Sequence, residues 1–466
     1  MRKRALFVVP HEDDEIFIGG ALIYYCCNYS DYETYIYIAT NGDSNMKICE
    51  SNYRVKESIK GLTELGVEKT HIYFGGYGDR WIGKHLYNAS QNERLLSVAQ
   101  RTETGTGDDT VREYHYLKYG QHANYTRLSY YDDLKQLILD ILPTVIVGVD
   151  LDAHPDHRCL SLMLDEVLHN IFVTNEEYRP FLLKKYAYEG MLYGVKDLFT
   201  SSLNRTEANN DETSNPFFLW KDRVAYIVPE KCRTKILCNN IVFKSSLQYK
   251  SQNIWFNADA FINSDVVYWS RHTRNFLIDA EIQVSSGDAK YLNDFKLLDS
   301  PDICEKKMDL FTLCWRPDLS DEKKQIDIVL KKKTKIAYIN IYFNNVEGTL
   351  IKCAKLTILD ALDKVIIEMP FSEIRGKEYI IHTLKLENVY EAKRIIISFN
   401  DVIGTIGIGE IEVLDEEQRV PFDELLIDKQ RLADETGIIQ AWSVELSEFL
   451  FKTKRFLKRH CEKVLK

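Results

Sequence analysis

Residues 5–9, Ala-Leu-Phe-Val-Val, have the length and β-branched content of a buried strand, and Pro10 ends the run. The turn after this strand constrains the fold more than any other stretch. Pro10-His11-Glu12-Asp13-Asp14-Glu15 sets an imidazole and four carboxyl groups against the strand end. Such groups are costly beside a buried strand unless something there needs them. In an open α/β sheet the position beyond the carboxyl end of a strand is where ligands bind. A second apolar run, Thr144-Val145-Ile146-Val147-Gly148-Val149, leads likewise into Asp152-Ala153-His154-Pro155-Asp156-His157. Two strand ends carrying His and Asp predict one shared metal site.

The spacing suits a metal. His11 and Asp14 lie three apart in a strand-to-helix turn, so both can converge on one point while Asp13 points elsewhere. His154 and His157 are also three apart, and Pro155 suits the first helical position, which puts the imidazoles about one turn apart near a helix N-terminus. The simplest assembly is His11, Asp14 and His157, two His and one carboxylate with coordination positions left for water and substrate. Asp13 then stands beside the metal as a general base, and His154 faces the developing oxyanion. The same ligands fit Zn2+ and Fe2+. Taken alone, Asp-Asp-Glu after a strand is a solvated helix start, and one His-x-x-His is a surface coincidence. Both clusters in one chain decide for a site.

With these residues the chain resembles the PIG-L/LmbE-like family of metal-dependent N-acetylglucosaminyl deacetylases. The family's (Ala/Pro)-His-Pro-Asp-Asp-Glu motif matches residues 10–15 with Glu12 in place of proline, and its His-Pro-Asp-His motif is intact at 154–157. Glu12 falls between ligands and is expected to change loop stiffness more than chemistry. The resemblance implies zinc on His11, Asp14 and His157, Asp13 as base, His154 as electrostatic partner of the tetrahedral intermediate, and Asp156 in support. It extends to Thr40-Asn41-Gly42-Asp43 and to Arg54-x-x-Glu57 before Leu65-Gly66-Val67. It also extends to Gly76-Tyr77-Gly78-Asp79, where Gly78 and Arg80 replace the family's proline and glycine, and to Tyr249-Lys250-Ser251-Gln252. Arg54, Asp79 and Asn41 are thereby implied as substrate contacts. From spacing alone Arg54 would be a helix-surface arginine paired with Glu57, and Asn41 a turn former.

At 466 residues more than one core is expected. Residues 1–276 alternate strand and helix, which predicts a Rossmann-like, mainly parallel sheet with helices on both faces. Its strands include Tyr35–Ala39 and His71–Phe74; Val55, Ile59, Leu62 and Leu65 mark one helix, Leu134, Leu137, Ile138 and Ile141 another. This part is expected to fold on its own. A polar, Tyr-rich insertion between Trp81 and Tyr130 should border the cleft, with His115 and His122 as minor candidates. Residues 277–416 show short alternating strands at Gln325–Leu330, Ile336–Phe343, Lys355–Leu359, Lys364–Met369, Tyr379–Leu386, Arg394–Phe399 and Ile408–Leu414. That is a β-sandwich pattern, resembling galactose-binding-like domains. Residues 417–466 read as a helical tail; seven Lys/Arg against one acidic residue from Lys452 onward suit contact with a membrane surface, or a docked helix with a basic face.

A net charge of −10 disfavours nucleic acid as a partner. Basic Met1-Arg2-Lys3-Arg4 precedes an apolar stretch too short for a secretory signal, no run could span a bilayer, and the 10 cysteines show no disulfide framework. The expected location is cytoplasmic, with peripheral contact at the inner membrane surface. The expected activity is metal-dependent removal of the N-acetyl group from a GlcNAc-containing glycoconjugate or glycan precursor, lipid-linked or nucleotide-linked. An amidase acting on a non-sugar amide and a non-catalytic glycan-binding protein are the alternatives; an intact Asp13 and His154 argue against the latter.

Overall fold

The computed structural model describes residues 3–44, 48–187, 193–194, 206–208, 215–234, 236–304, 312–371, 373–375, 379–417 and 419–427. The basic stretch from Lys452 lies outside them.

Strand β1 (Lys3–Val9) is the spine of the first unit. Ala5 to Val9 are fully buried, with Phe7 held in parallel register between Ile36 and Val147. Beside it run β2 (Tyr32–Thr40), β3 (Ile72–Tyr77), β4 (Val145–Val149) and β5 (Phe181–Lys185), and the sheet closes antiparallel with β8 (Val224–Ile227) and β9 (Asp265–Arg271). The order is β3-β2-β1-β4-β5-β9-β8; the short β6 (Tyr193–Gly194) and β7 (Glu207–Ala208) pair apart from it. From β1 the chain winds one way to β2 and β3, and from β4 the other way to β5. Right-handed crossovers then place α1 (Asp14–Tyr29) and α2 (Ile48–Leu65) on one face and α5 (Pro155–Thr174) on the other. Helix α1 packs on α2, and α4 (Arg127–Ile141), which follows the short α3 (Tyr114–Tyr119), packs on α5. The reversal falls between β1 and β4, the topological switch point where such sheets bind ligands. Both His/Asp clusters sit there.

The second unit is an antiparallel β-sandwich of β10 (Glu281–Val284), β11 (Gln325–Asn344), β12 (Leu350–Leu359), β13 (Val365–Pro370), β14 (Ile374–Arg375), β15 (Tyr379–Ile403) and β16 (Ile408–Leu414). Four of the strands expected from sequence are two. Gln325–Leu330 and Ile336–Phe343 are both within β11, and Tyr379–Leu386 and Arg394–Phe399 both within β15. Exposed Lys331, Lys332 and Lys333 interrupt the apolar alternation, and the pairing of β11 with β15 skips them, resuming at Thr334 with a register shift. One half of β11 pairs with β10 and the end of β15; the other half pairs with the start of β15 and with β16. Among the described residues of 417–427, Asp423–Leu425 form a 3-10 turn; the rest of the expected helical tail lies outside the described residues.

The first unit's core draws on residues beyond 276. Phe295, Leu297, Leu298, Ile303, Tyr342 and Phe422 are buried within it. Polar contacts reinforce the join: Arg271 Nη2 donates to Phe295 O at 2.9 Å, and Tyr87 donates to Asp299 at 2.8 Å. Among the described residues no helix is long and apolar enough to cross a membrane, and the cysteines are free.

Candidate metal centre

The β1–α1 turn places His11 and Asp14 as their spacing requires. Asp14 opens α1, and its Oδ2 accepts the backbone N–H of His11 at 3.2 Å, closing the turn. Across the switch point Pro155 is the first residue of α5 and His154 its N-cap. Three donor atoms meet there: His11 Nδ1 lies 3.1 Å from Asp14 Oδ2 and 3.1 Å from His157 Nε2, which is 3.3 Å from Asp14 Oδ2. A tetrahedral site with arms of about 2.0–2.1 Å has edges of about 3.3–3.4 Å, so these two nitrogens and one oxygen fit one face of a zinc-sized coordination shell. Wider groupings, His11 with His154 and His157, and His11 with Asp79, His154 and Asp156, have donor atoms within 4.8 Å of one another. They suit a metal less well, because His154 Nδ1 already accepts the Asp156 N–H at 3.2 Å and the Asp156 carboxylate accepts from the Arg80 N–H at 3.2 Å.

Electrostatics track the geometry. Burial alone would raise the Asp14 carboxyl, but His157 and His11 hold it well below the usual carboxylate range. Burial would lower His157, yet Asp152 and Asp14 push it up to about 9. The pocket thus attracts positive charge. Burial, with His11 and His157 as neighbours, pushes His154 down to about 3, so its ring is neutral. Since Nδ1 accepts from Asp156, the proton belongs on Nε2, making His154 a hydrogen-bond donor. Asp13 sends its carboxylate to Arg54 Nη2 at 3.4 Å; burial, partly offset by Arg54, pushes it up to about 7.

The remaining residues divide. Asp79 is buried with Oδ1 3.4 Å from His11 Nε2, within the cluster. Arg54 is buried too, donating to Gly42 O at 2.7 Å and to Glu12 O, while Glu57 bonds Ser251 instead. Asn41 is fully buried, its amide nitrogen spent on Gly105 O at 2.7 Å and Gly76 O at 3.2 Å, which secures loops around the cleft. His115 and His122 are tied to Asp133 and Glu113, each at 2.6 Å. Glu12 is more than a stiffer loop residue: fully buried, its carboxyl lies 3.6 Å from Arg54 Nε and burial pushes it up to about 8.

Sequence reasoning gave no role to three groups. Asp152 Oδ2 pairs with His157 Nδ1 at 2.7 Å, the carboxylate–histidine arrangement that orients metal ligands; its place two residues before His154 was the available signal. Glu15 accepts the Asp13 N–H at 2.8 Å and the Tyr249 hydroxyl at 2.7 Å, which ties the Tyr-x-Ser-Gln stretch to the turn. His85, inside the insertion, reaches Asp156 at 3.0 Å, and no motif marks it.

No curated protein matches the chain. Among solved structures it is similar to Clostridium perfringens CpGH89CBM32-6 (16% identity, 29% of this chain and 94% of that one, TM-score 0.21). It is also similar to a Streptococcus pneumoniae fucose binding module, SpX-3 (15% identity, 31% and 98%, TM-score 0.24). A third is the family 32 CBM from C. perfringens NanJ (17% identity, 29% and 92%, TM-score 0.22). Residues 6–168, which hold both clusters and the switch point, match the family described as GlcNAc-PI de-N-acetylase, and this part of the chain is a PIG-L domain.

Proposed function

We propose that the protein is a zinc-dependent hydrolase that removes the N-acetyl group from a GlcNAc-containing glycoconjugate or glycan precursor. The observation that carries this reading is the meeting of His11 Nδ1, Asp14 Oδ2 and His157 Nε2 within 3.1–3.3 Å inside a PIG-L domain. Bound there, a divalent cation supplies Lewis-acid polarisation of the acetamide carbonyl and acidifies a water. Asp13, pushed up to about 7, is suited to take a proton from the attacking water and return it to the leaving amine. Neutral His154 presents an N–H to the oxygen that gains charge. Arg54 holds the Asp13 carboxylate in place, and Asp79 offers an acceptor to a sugar hydroxyl.

The substrate is a cytoplasmic precursor, lipid-linked or nucleotide-linked. Seven basic residues from Lys452 onward, worth about 1 kcal/mol each near an anionic leaflet, would support reversible binding at the inner membrane surface. Elemental analysis of the purified protein, with acetate release measured on nucleotide-linked GlcNAc, lipid-linked GlcNAc and simple acetamides, tests the reading. One bound metal per chain and release from GlcNAc conjugates are expected; turnover of non-sugar amides alone would replace the deacetylase with an amidase. Deleting residues 447–466 should abolish sedimentation with anionic liposomes, and unchanged sedimentation would remove the membrane contact.

A further inference from the structure

Asp156 stands between the two histidines of the second cluster, and its carboxylate lies against both halves of the site. Oδ2 is 3.8 Å from His11 Nε2 and 3.6 Å from His154 Nδ1, so where this carboxylate sits bears on both rings. Its other oxygen, Oδ1, meets His85 Nε2 at 3.0 Å, and both side chains are 2% exposed. His85 Nδ1 accepts the Tyr87 N–H at 3.3 Å, so a neutral His85 carries its proton on Nε2 and donates it to Asp156. We propose that His85 is a positioning residue for the metal centre, held in place by residues 296–303 of the second unit. The inference rests on the deacetylase reading above.

The second half of the proposal comes from the 3-10 turn that His85 caps, Leu86–Asn88. Tyr87 donates to Asp299 Oδ1 at 2.8 Å and receives Lys296 Nζ at 3.2 Å. Asn88 donates to Ser300 O at 3.1 Å and accepts the Ile303 N–H at 3.1 Å. The same Ile303 offers its carbonyl to Arg158 Nη1 at 3.3 Å, and Arg158 Nε donates to Asp152 O at 2.6 Å, beside the carboxylate that orients His157. Two routes thus run from one segment of the second unit to the second cluster, one to the Asp156 carboxylate and one to the Asp152 backbone. Loss of the His85 donor would leave a buried Asp156 oxygen without its partner and free the carboxylate to turn towards His11 or His154. Asp79, the proposed sugar acceptor, shares a grouping with Asp156, their donor atoms within 4.8 Å, so the rate and its rescue by a donor at position 85, not KM, carry the test.

The test is kcat, KM and metal content of the full-length enzyme with His85→Leu and His85→Gln. The first should lower kcat about 10- to 100-fold, the range for groups that orient the surroundings of a metal. Glutamine places an amide N–H near the position of Nε2 and should restore kcat to within about threefold of wild type. A wild-type kcat in His85→Leu, or an equal loss in His85→Gln, overturns the role of the donor. Should His85→Leu fail to fold, His85→Gln still decides on the donor and Asn88→Ala decides on the segment: a lower kcat is expected, and a wild-type kcat overturns it. A wild-type enzyme that binds no metal and releases no acetate would sink the deacetylase reading itself, an outcome distinct from any of these.

Discussion

Asp13 holds φ 120° and ψ −33°, a backbone conformation that an L side chain adopts only when its surroundings enforce it. Glu15, itself bonded by Tyr249, takes the Asp13 N–H and Arg54 meets the carboxylate, so Asp13 is held by groups outside the three-donor cluster. That division separates the effects of substitution. His157→Ala should empty the metal site, whereas Asp13→Asn should keep the metal and lose turnover, read by elemental analysis beside acetate release. His154→Ala should keep the metal and raise the barrier by about 3 kcal/mol, the scale of one lost oxyanion donor. A metal-loaded Asp13→Asn enzyme with near wild-type rate would remove Asp13 from the reaction. At this scale residue types and spacing were enough to bring His11 and Asp14 together, because a turn brings positions three apart together whatever surrounds them. Partners distant in sequence were hidden: nothing local tells Arg54 to ignore Glu57 for Glu12 and Asp13, and nothing near His85 points to Asp156.

Strand ends, not strand interiors, build the centre. The β2–α2 turn shows how little slack they have: Gly42 sits at φ +53°, and a Cβ there would fall 2.0 Å from Arg54 Nη1. Gly42→Ala should therefore displace the guanidinium and with it the Asp13 carboxylate, lowering kcat with the metal retained; an alanine enzyme of unchanged kcat would show that Arg54 does not position the base. The βα alternation was readable because a central parallel strand is apolar throughout and its helices carry a 3.6-residue face. The sandwich strands were located but cut too short, since exposed lysines break the side-chain alternation while the chain runs on as one strand on either side of them. The insertion was recognisable as long and polar, but its anchoring of Asn41 and Asp156 depends on contacts that only the folded chain makes.

Across the whole molecule the two units share one buried join. A chain ending at residue 276 would lose Phe295, Leu297, Leu298 and Ile303 from the first core and uncover the apolar surface they cover. Such a fragment is expected to be insoluble or to retain little metal, by gel filtration and elemental analysis; a soluble, metal-loaded fragment would show that the join is dispensable. Composition could suggest two units but not this dependence, because an interface is a property of surfaces rather than of segments. The charge in the ligand pocket reaches the whole molecule in another way. With His157 pushed up to about 9, the metal-free protein holds a proton there at neutral pH. Because the folded value is raised, the bound proton favours the metal-free fold below the ordinary histidine range, and that contribution fades as pH rises through about 9. Metal entry must expel the proton, so apparent metal affinity should climb about tenfold per pH unit between about 7 and 9. Calorimetry in buffers of different ionisation enthalpy would count the protons released, and a heat independent of buffer would mean that the pocket loads without exchange. Loading this protein is thus an acid-releasing reaction, and mild acidification alone should work as a chelator.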